Sequence, residues 1–159
     1  MNTSPLVLRG LTPSRLGTSV AAVLLLDALT HLFWLVRPAA DPRALSLAVL
    51  NFEVPFTVRV LLPLILLLSV AAVSVAAASR NRGGRPARLV TLAVGAGVLV
   101  RGELGLAWAL GFGTGTGTPF HWLNLFLYTP LCLAMAAAIG LVLTGTGRRT
   151  SGMLSTVAP

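Results

Sequence analysis

Four acidic side chains, two histidines and twelve basic residues carry most of the ionisable chemistry of this 159-residue chain. Asp27 and Glu103 fall in the middle of long apolar runs, and Glu53 stands just before another. Arg101 is also mid-run, and Arg59 lies near the start of the run that follows Glu53. His31, His121, Asn124 and Tyr128 complete the polar set. A charge at the centre of a bilayer costs about 2.5–3.5 kcal/mol even on the lenient insertion scale, so such groups face a protein interior and take partners. A carboxyl group in low dielectric holds its proton at neutral pH, which suits it to act as an acid. Asp27 is the first choice for that acid, oriented by His31. Glu103 or Glu53 would supply a second acid or a terminal base.

Spacing groups these residues. Asp27, His31 and Trp34 fall four and three apart, on one helical stripe. His121, Asn124 and Tyr128 fall three and four apart, on another. Pro130 cannot donate to the carbonyl of Phe126, which predicts a kink beside Tyr128, and Pro63 does the same for the carbonyl of Arg59. Arg101 and Glu103 point to opposite sides of a helix. Arg101 shares its face with Gly97, Gly105 and Trp108, and its expected partner is Asp27 or Glu53 across the bundle. Trp34, Trp108, Trp122, Phe126 and Tyr128 are rings able to stabilise a travelling cation, with His121 and Asn124 as further substrate contacts. A purely structural reading competes: Asp27 with Arg101 as a buried ion pair fixing helix register, and Trp34, Trp122 and Tyr128 as an aromatic belt. No GxSxG, HExxH, GxGxxG or P-loop is present. The single Cys132 excludes an intrachain disulfide and a CxxC pair. No metal and no cofactor is expected.

Helices in a membrane must position these groups. Hydrophobic residues make up 55% of the chain and charged ones 10%, against about a quarter charged in a soluble domain. Four apolar runs, 17–36, 57–78, 89–111 and 121–143, are each long enough to span a ~30 Å hydrocarbon core. Lipid offers no partner for free backbone groups, so the fold class is all-α, an integral membrane four-helix bundle over residues 17–147. Small residues predict close helix approach at Ser69, Ala72 and Ala76, at Ala93 and Gly97, and from Ala134 to Ala138. Residues 44–50 read as a short helix on the membrane surface, 113–118 as a Gly-Thr turn, and 148–159 as a disordered tail.

The twelve basic residues are all Arg, a bias of the GC-rich, actinobacterial kind. Arg9 and Arg15, the loop with Arg80, Arg82, Arg85 and Arg88, and the pair Arg148 and Arg149 place both termini, including 1–16, in the cytoplasm by the positive-inside rule. Asp27 and His31 inside the first run argue against a cleaved signal peptide. The net charge of +8 flanks apolar spans and forms no soluble basic face, so nucleic acid is not an expected partner. On this topology every polar candidate lies at the midplane or in the outer half, which predicts a polar cavity opening outward.

Three stretches carry a resemblance: His31-Leu32-Phe33-Trp34, Arg101-Gly102-Glu103, and Tyr128-Thr129-Pro130-Leu131-Cys132. They resemble a family of small four-span bacterial membrane proteins with no assigned activity. Its pattern is His-x-x-Trp in the first span, Arg with a nearby acid in the third and Tyr-x-Pro-Leu-Cys in the fourth. Here the acid follows the Arg by two residues, closer than that pattern implies. A second likeness is chemical. Integral-membrane terpenoid cyclases of actinobacteria also set carboxylic acids among aromatics in a helical bundle, although with more helices, and they imply protonation of an epoxide or alkene.

The leading expectation is a membrane enzyme, multi-pass in the cell membrane, doing acid–base chemistry on a lipophilic isoprenoid substrate by proton-triggered cyclisation. The alternative is a small proton-coupled transporter or an accessory subunit. Four spans are few for a monomeric carrier, so that reading requires a homo-oligomer.

Overall fold

The computed structural model describes residues 12–112 and 117–154, with side chains as far as residue 145. It is all-helical: α1 spans Pro13–Val36, α2 Pro42–Leu50, α3 Val58–Ser79, α4 Gly84–Ala109 and α5 Pro119–Leu123. A π-helical turn, Asn124–Tyr128, joins α5 to α6, Thr129–Leu154. Four stretches are long and apolar enough to cross a membrane: α1, α3, α4 and the continuous segment Pro119–Gly145. Large apolar side chains such as Leu26, Leu67, Val73 and Leu89 cover the outside. So extensive an apolar exterior marks a membrane protein, because a soluble one exposes only small patches of this kind.

The helix ends are written locally. Thr12 accepts the Arg15 N–H at 3.3 Å and Pro13 is the first helical residue of α1, a preorganised start. Asp41 caps α2 through the Ala44 N–H at 2.9 Å, and Asn51 ends it with φ 63°. The short helix expected at 44–50 is therefore α2.

α1 packs on α3 and α6, and α4 packs on the same two helices, so α1 and α4 take opposite corners of a square. The core of Val20, Ala21, Leu24, Ala71, Ala72, Val75, Met135 and Ile139 fills the half that holds the start of α1 and the end of α3. We call this the terminal half. Gly17 approaches Ser79 so closely that a Cβ would overlap it. Arg80 Nη2 donates to Thr18 Oγ1 at 3.2 Å, tying the α3–α4 loop to α1. At the other end α2 lies against α5, and we call this the α2 half.

Two expectations change. Ala93 is exposed and a Cβ on Gly97 would meet nothing within 4 Å, so that pair makes no close approach. The opposite face of α4 does it instead: Cβ atoms on Gly95 and Gly102 would come 2.8 Å from Ile139 and Leu133 of α6. The last helix also continues to Leu154, past the start of the expected tail at 148. No proline stands between Pro130 and Pro159 to stop it, and extending a formed helix costs little. The first eleven residues, 113–116 of the Gly-Thr turn, and 155–159 lie outside the described residues.

Candidate functional site

Two polar clusters occupy the α2 half. The first is on α1. The His31 Nδ1 lies 2.8 Å from the Asp27 carbonyl oxygen and 3.3 Å from Asp27 Oδ1. The next turn adds Trp34, whose ring meets His31 edge-on at 5.2 Å and stacks on Phe56 at 5.3 Å. The stripe read from spacing thus exists, and Phe56 extends it from the segment before α3. No periodic signal marks Phe56, because it belongs to no helix. The Asp27 side chain is 51% accessible against 16% for His31, so the carboxylate is the open end of the pair.

The second cluster joins α4 to the π-turn. Arg101 Nη1 donates to Asn124 Oδ1 at 3.1 Å, and Asn124 Nδ2 donates to the Gly105 carbonyl at 2.8 Å. The guanidinium carbon lies 4.9 Å from the centre of the Trp108 ring and 5.5 Å from that of Tyr128. Cation–π contact of this kind solvates a guanidinium where water is absent. Asn124 is fully buried. A Cβ on Gly105 would overlap the Thr129 hydroxyl and stand 3.2 Å from both Arg101 Nη1 and Asn124 Oδ1, so only glycine leaves room for this meeting.

Pro130 explains the local backbone. It offers no N–H to the Phe126 carbonyl, and the Thr129 N–H reaches back five residues to the Asn124 carbonyl. The strain expected as a kink is taken up as a π-turn, a form frequent at functional sites. Asn124 and Tyr128 keep their inward stripe and Thr129 joins them, buried. Thr129 Oγ1 and His121 Nδ1 are buried with no hydrogen-bond partner among the described residues. Sequence spacing misses Thr129, since only the widened turn brings it inside.

The carboxylate partner expected for Arg101 is absent. All four acids of the chain are described, and their ion pairs within 4.0 Å are His31–Asp27 and Arg43–Glu53, the latter at 2.6 Å. Asp27 is held on the opposite corner by His31, and Glu53 is held in the α2 region by Arg43. The amide of Asn124 takes the place of the acid.

The remaining candidates are dispersed. Glu103 is exposed, on the face of α4 turned away from Arg101. Trp122 and Phe126 stack on each other at 5.7 Å and both point outward. His121 is buried, edge-on to Trp122 at 5.5 Å. Trp108 packs edge-on against Phe120, a core residue, at 5.5 Å. Asp27, His31, Trp34, Arg101, Trp108, Asn124 and Tyr128 are the candidates gathered in the two clusters. No group of three metal-ligating side chains occurs among the described residues. Comparison with family models, curated proteins and solved structures finds no match to this chain.

Proposed function

We propose that this chain is a membrane-embedded acid–base enzyme acting on a lipophilic, isoprenoid-like substrate, with proton-triggered cyclisation or isomerisation as its reaction class. One observation carries the reading: an open Asp27 carboxyl is held by His31 in the same half of the bundle as Arg101, Asn124 and Tyr128. The Asp27 carboxyl gives its proton to a substrate alkene or epoxide, forming the new C–H or O–H bond and leaving a carbocation. Ring closure or migration follows, and loss of a proton to the Asp27 carboxylate restores the acid without net redox change. His31 positions the carboxyl throughout. Trp34, edge-on to His31 and stacked on Phe56, is the ring of the acid's own cluster, able to stabilise the cation. Trp108 and Tyr128 already hold the guanidinium. Arg101 repels positive charge and keeps the cation on the α1 side.

The likeness to membrane terpenoid cyclases supports the choice of substrate. The arginine distribution supports a cell-membrane protein with both termini in the cytoplasm. The tight terminal half favours an enzyme over a carrier, which needs access from both faces.

The test is turnover per folded molecule of prenylated substrates in liposomes. Asp27→Asn keeps shape and hydrogen bonding but carries no transferable proton. It should insert normally and lose turnover, whereas Asp27→Glu should retain part. Parent-level turnover by Asp27→Asn would remove Asp27 as the acid. A structural role alone predicts that activity falls only with the amount of folded protein.

A further inference from the structure

We infer that Arg101 is the receptor for an anionic head group, a carboxylate or phosphate borne on an apolar chain. The inference rests on the proposed function only in taking that amphiphile to be the substrate, since the binding is argued from Arg101 itself. A guanidinium within a membrane span is costly unless its charge is met. No side-chain carboxylate lies within 4.0 Å of it, and Asn124 is neutral. Two rings lower the cost of the charge without cancelling it. A guanidinium has five N–H donors, and the side-chain bond it makes among the described residues uses one of them, to Asn124. A carboxylate or phosphate accepts two parallel N–H bonds from the same fork and supplies the missing charge.

The fold adds two limits on that anion. Asn124 is buried and bonded on both sides, by Arg101 and to Gly105, so it fixes the fork in place before any ligand arrives. Arg101 precedes the last residue of α4, Ala109, by eight residues, about 12 Å along the axis. A small hydrated ion would have to shed its water to reach that depth. An amphiphile offsets this cost by burying its tail among the apolar side chains above. The terminal half is packed by Ala71, Ala72, Val75 and Ile139, so head and tail enter from the α2 half or sideways from lipid. Tyr128, beside the guanidinium, then lies next to the first atoms of the tail.

The experiment uses the full chain in phosphatidylcholine nanodiscs, titrated with farnesyl phosphate, oleate and neutral farnesol, with empty nanodiscs as background. At least one of the two anions should bind saturably and raise the unfolding temperature. Farnesol should bind at least about tenfold more weakly, the loss expected for one charged hydrogen-bonding partner. Saturation by farnesyl phosphate and not oleate, or the reverse, identifies the head. Arg101→Gln should weaken binding of the anion by about tenfold or more and leave farnesol unchanged, and Arg101→Lys should fall between. Asp27→Asn should bind the anion as the parent does, so loss of turnover with binding intact separates the acid from the receptor. Equal affinity for farnesol and both anions in the parent would overturn the inference, as would parent affinity in Arg101→Gln. The parent comparison decides even where Arg101→Gln does not fold.

Discussion

In the terminal half of the bundle Ala72, Val75, Ile139 and Val142 retain at most 1% of their accessible surface, while in the α2 half Asp27 stays open and Arg101, His31 and Tyr128 are only half-buried. The halves also differ in what joins their helices. Below, contact is made by small side chains and by Gly17 against Ser79. Above, a hydrogen-bonded chain from Arg101 through Asn124 to Gly105 links α4 to the π-turn. Tight apolar packing leaves no room for a substrate. The same four helices are therefore joined by close apolar contact in one half and by directional polar bonds in the other.

The sharpest way to break this contrast is to remove the polar link. Asn124→Leu fills the space but removes the interhelical donor to the Gly105 carbonyl and strips the Arg101 guanidinium of its amide partner. Loss of a partner to a charged group of this kind costs about 1–3 kcal/mol, so this variant should be the least stable of the series in detergent unfolding. Unchanged stability would mean that apolar contact alone holds the α2 half. Gly105→Ala comes next. Its methyl meets the Thr129 hydroxyl, and overpacking of this kind costs about 1–3 kcal/mol. It should lower the unfolding temperature less than Asn124→Leu does, and should weaken anion binding by moving the guanidinium. At the small end, Glu103→Gln alters a side chain on the outer face of α4. Turnover per folded molecule should stay at the parent level, and a large loss would bring Glu103 back into the chemistry.

Much of the fold was legible because hydrophobic length is a strong signal: each of the four apolar runs is matched by a helix long enough to span. Cap residues such as Asp41 and the prolines also wrote their outcomes locally. Two kinds of information were hidden. Facing around a helix is ambiguous where small residues occur on more than one side: the spacing of Ala93 and Gly97 predicts a packing face, whereas Gly95, Gly102 and Gly105 provide it. Partner choice across the bundle was hidden as well. Charge alone pairs Arg101 with an acid, but Asp27 already has His31 on its own helix and Glu53 has Arg43 of the neighbouring α2. The π-turn, which Pro130 signals only as a disturbance, decides that Asn124 and Thr129 meet Gly105. Within the site, the stripes of Asp27, His31 and Trp34 and of Asn124 and Tyr128 could be read from spacing. Phe56 could not, since it belongs to no helix, and Thr129 could not, since the π-turn is what brings it inside.

The most direct test of the two-half account is thiol labelling from each side of the membrane. In a Cys132→Ser background, Asp27→Cys and Ala72→Cys are exposed to a membrane-impermeant reagent in intact cells and in inverted vesicles. The account predicts labelling of Asp27→Cys in intact cells and its protection in inverted vesicles, with Ala72→Cys unlabelled in both. Labelling of Ala72→Cys, or an Asp27→Cys thiol reached only in inverted vesicles or in neither, would contradict it.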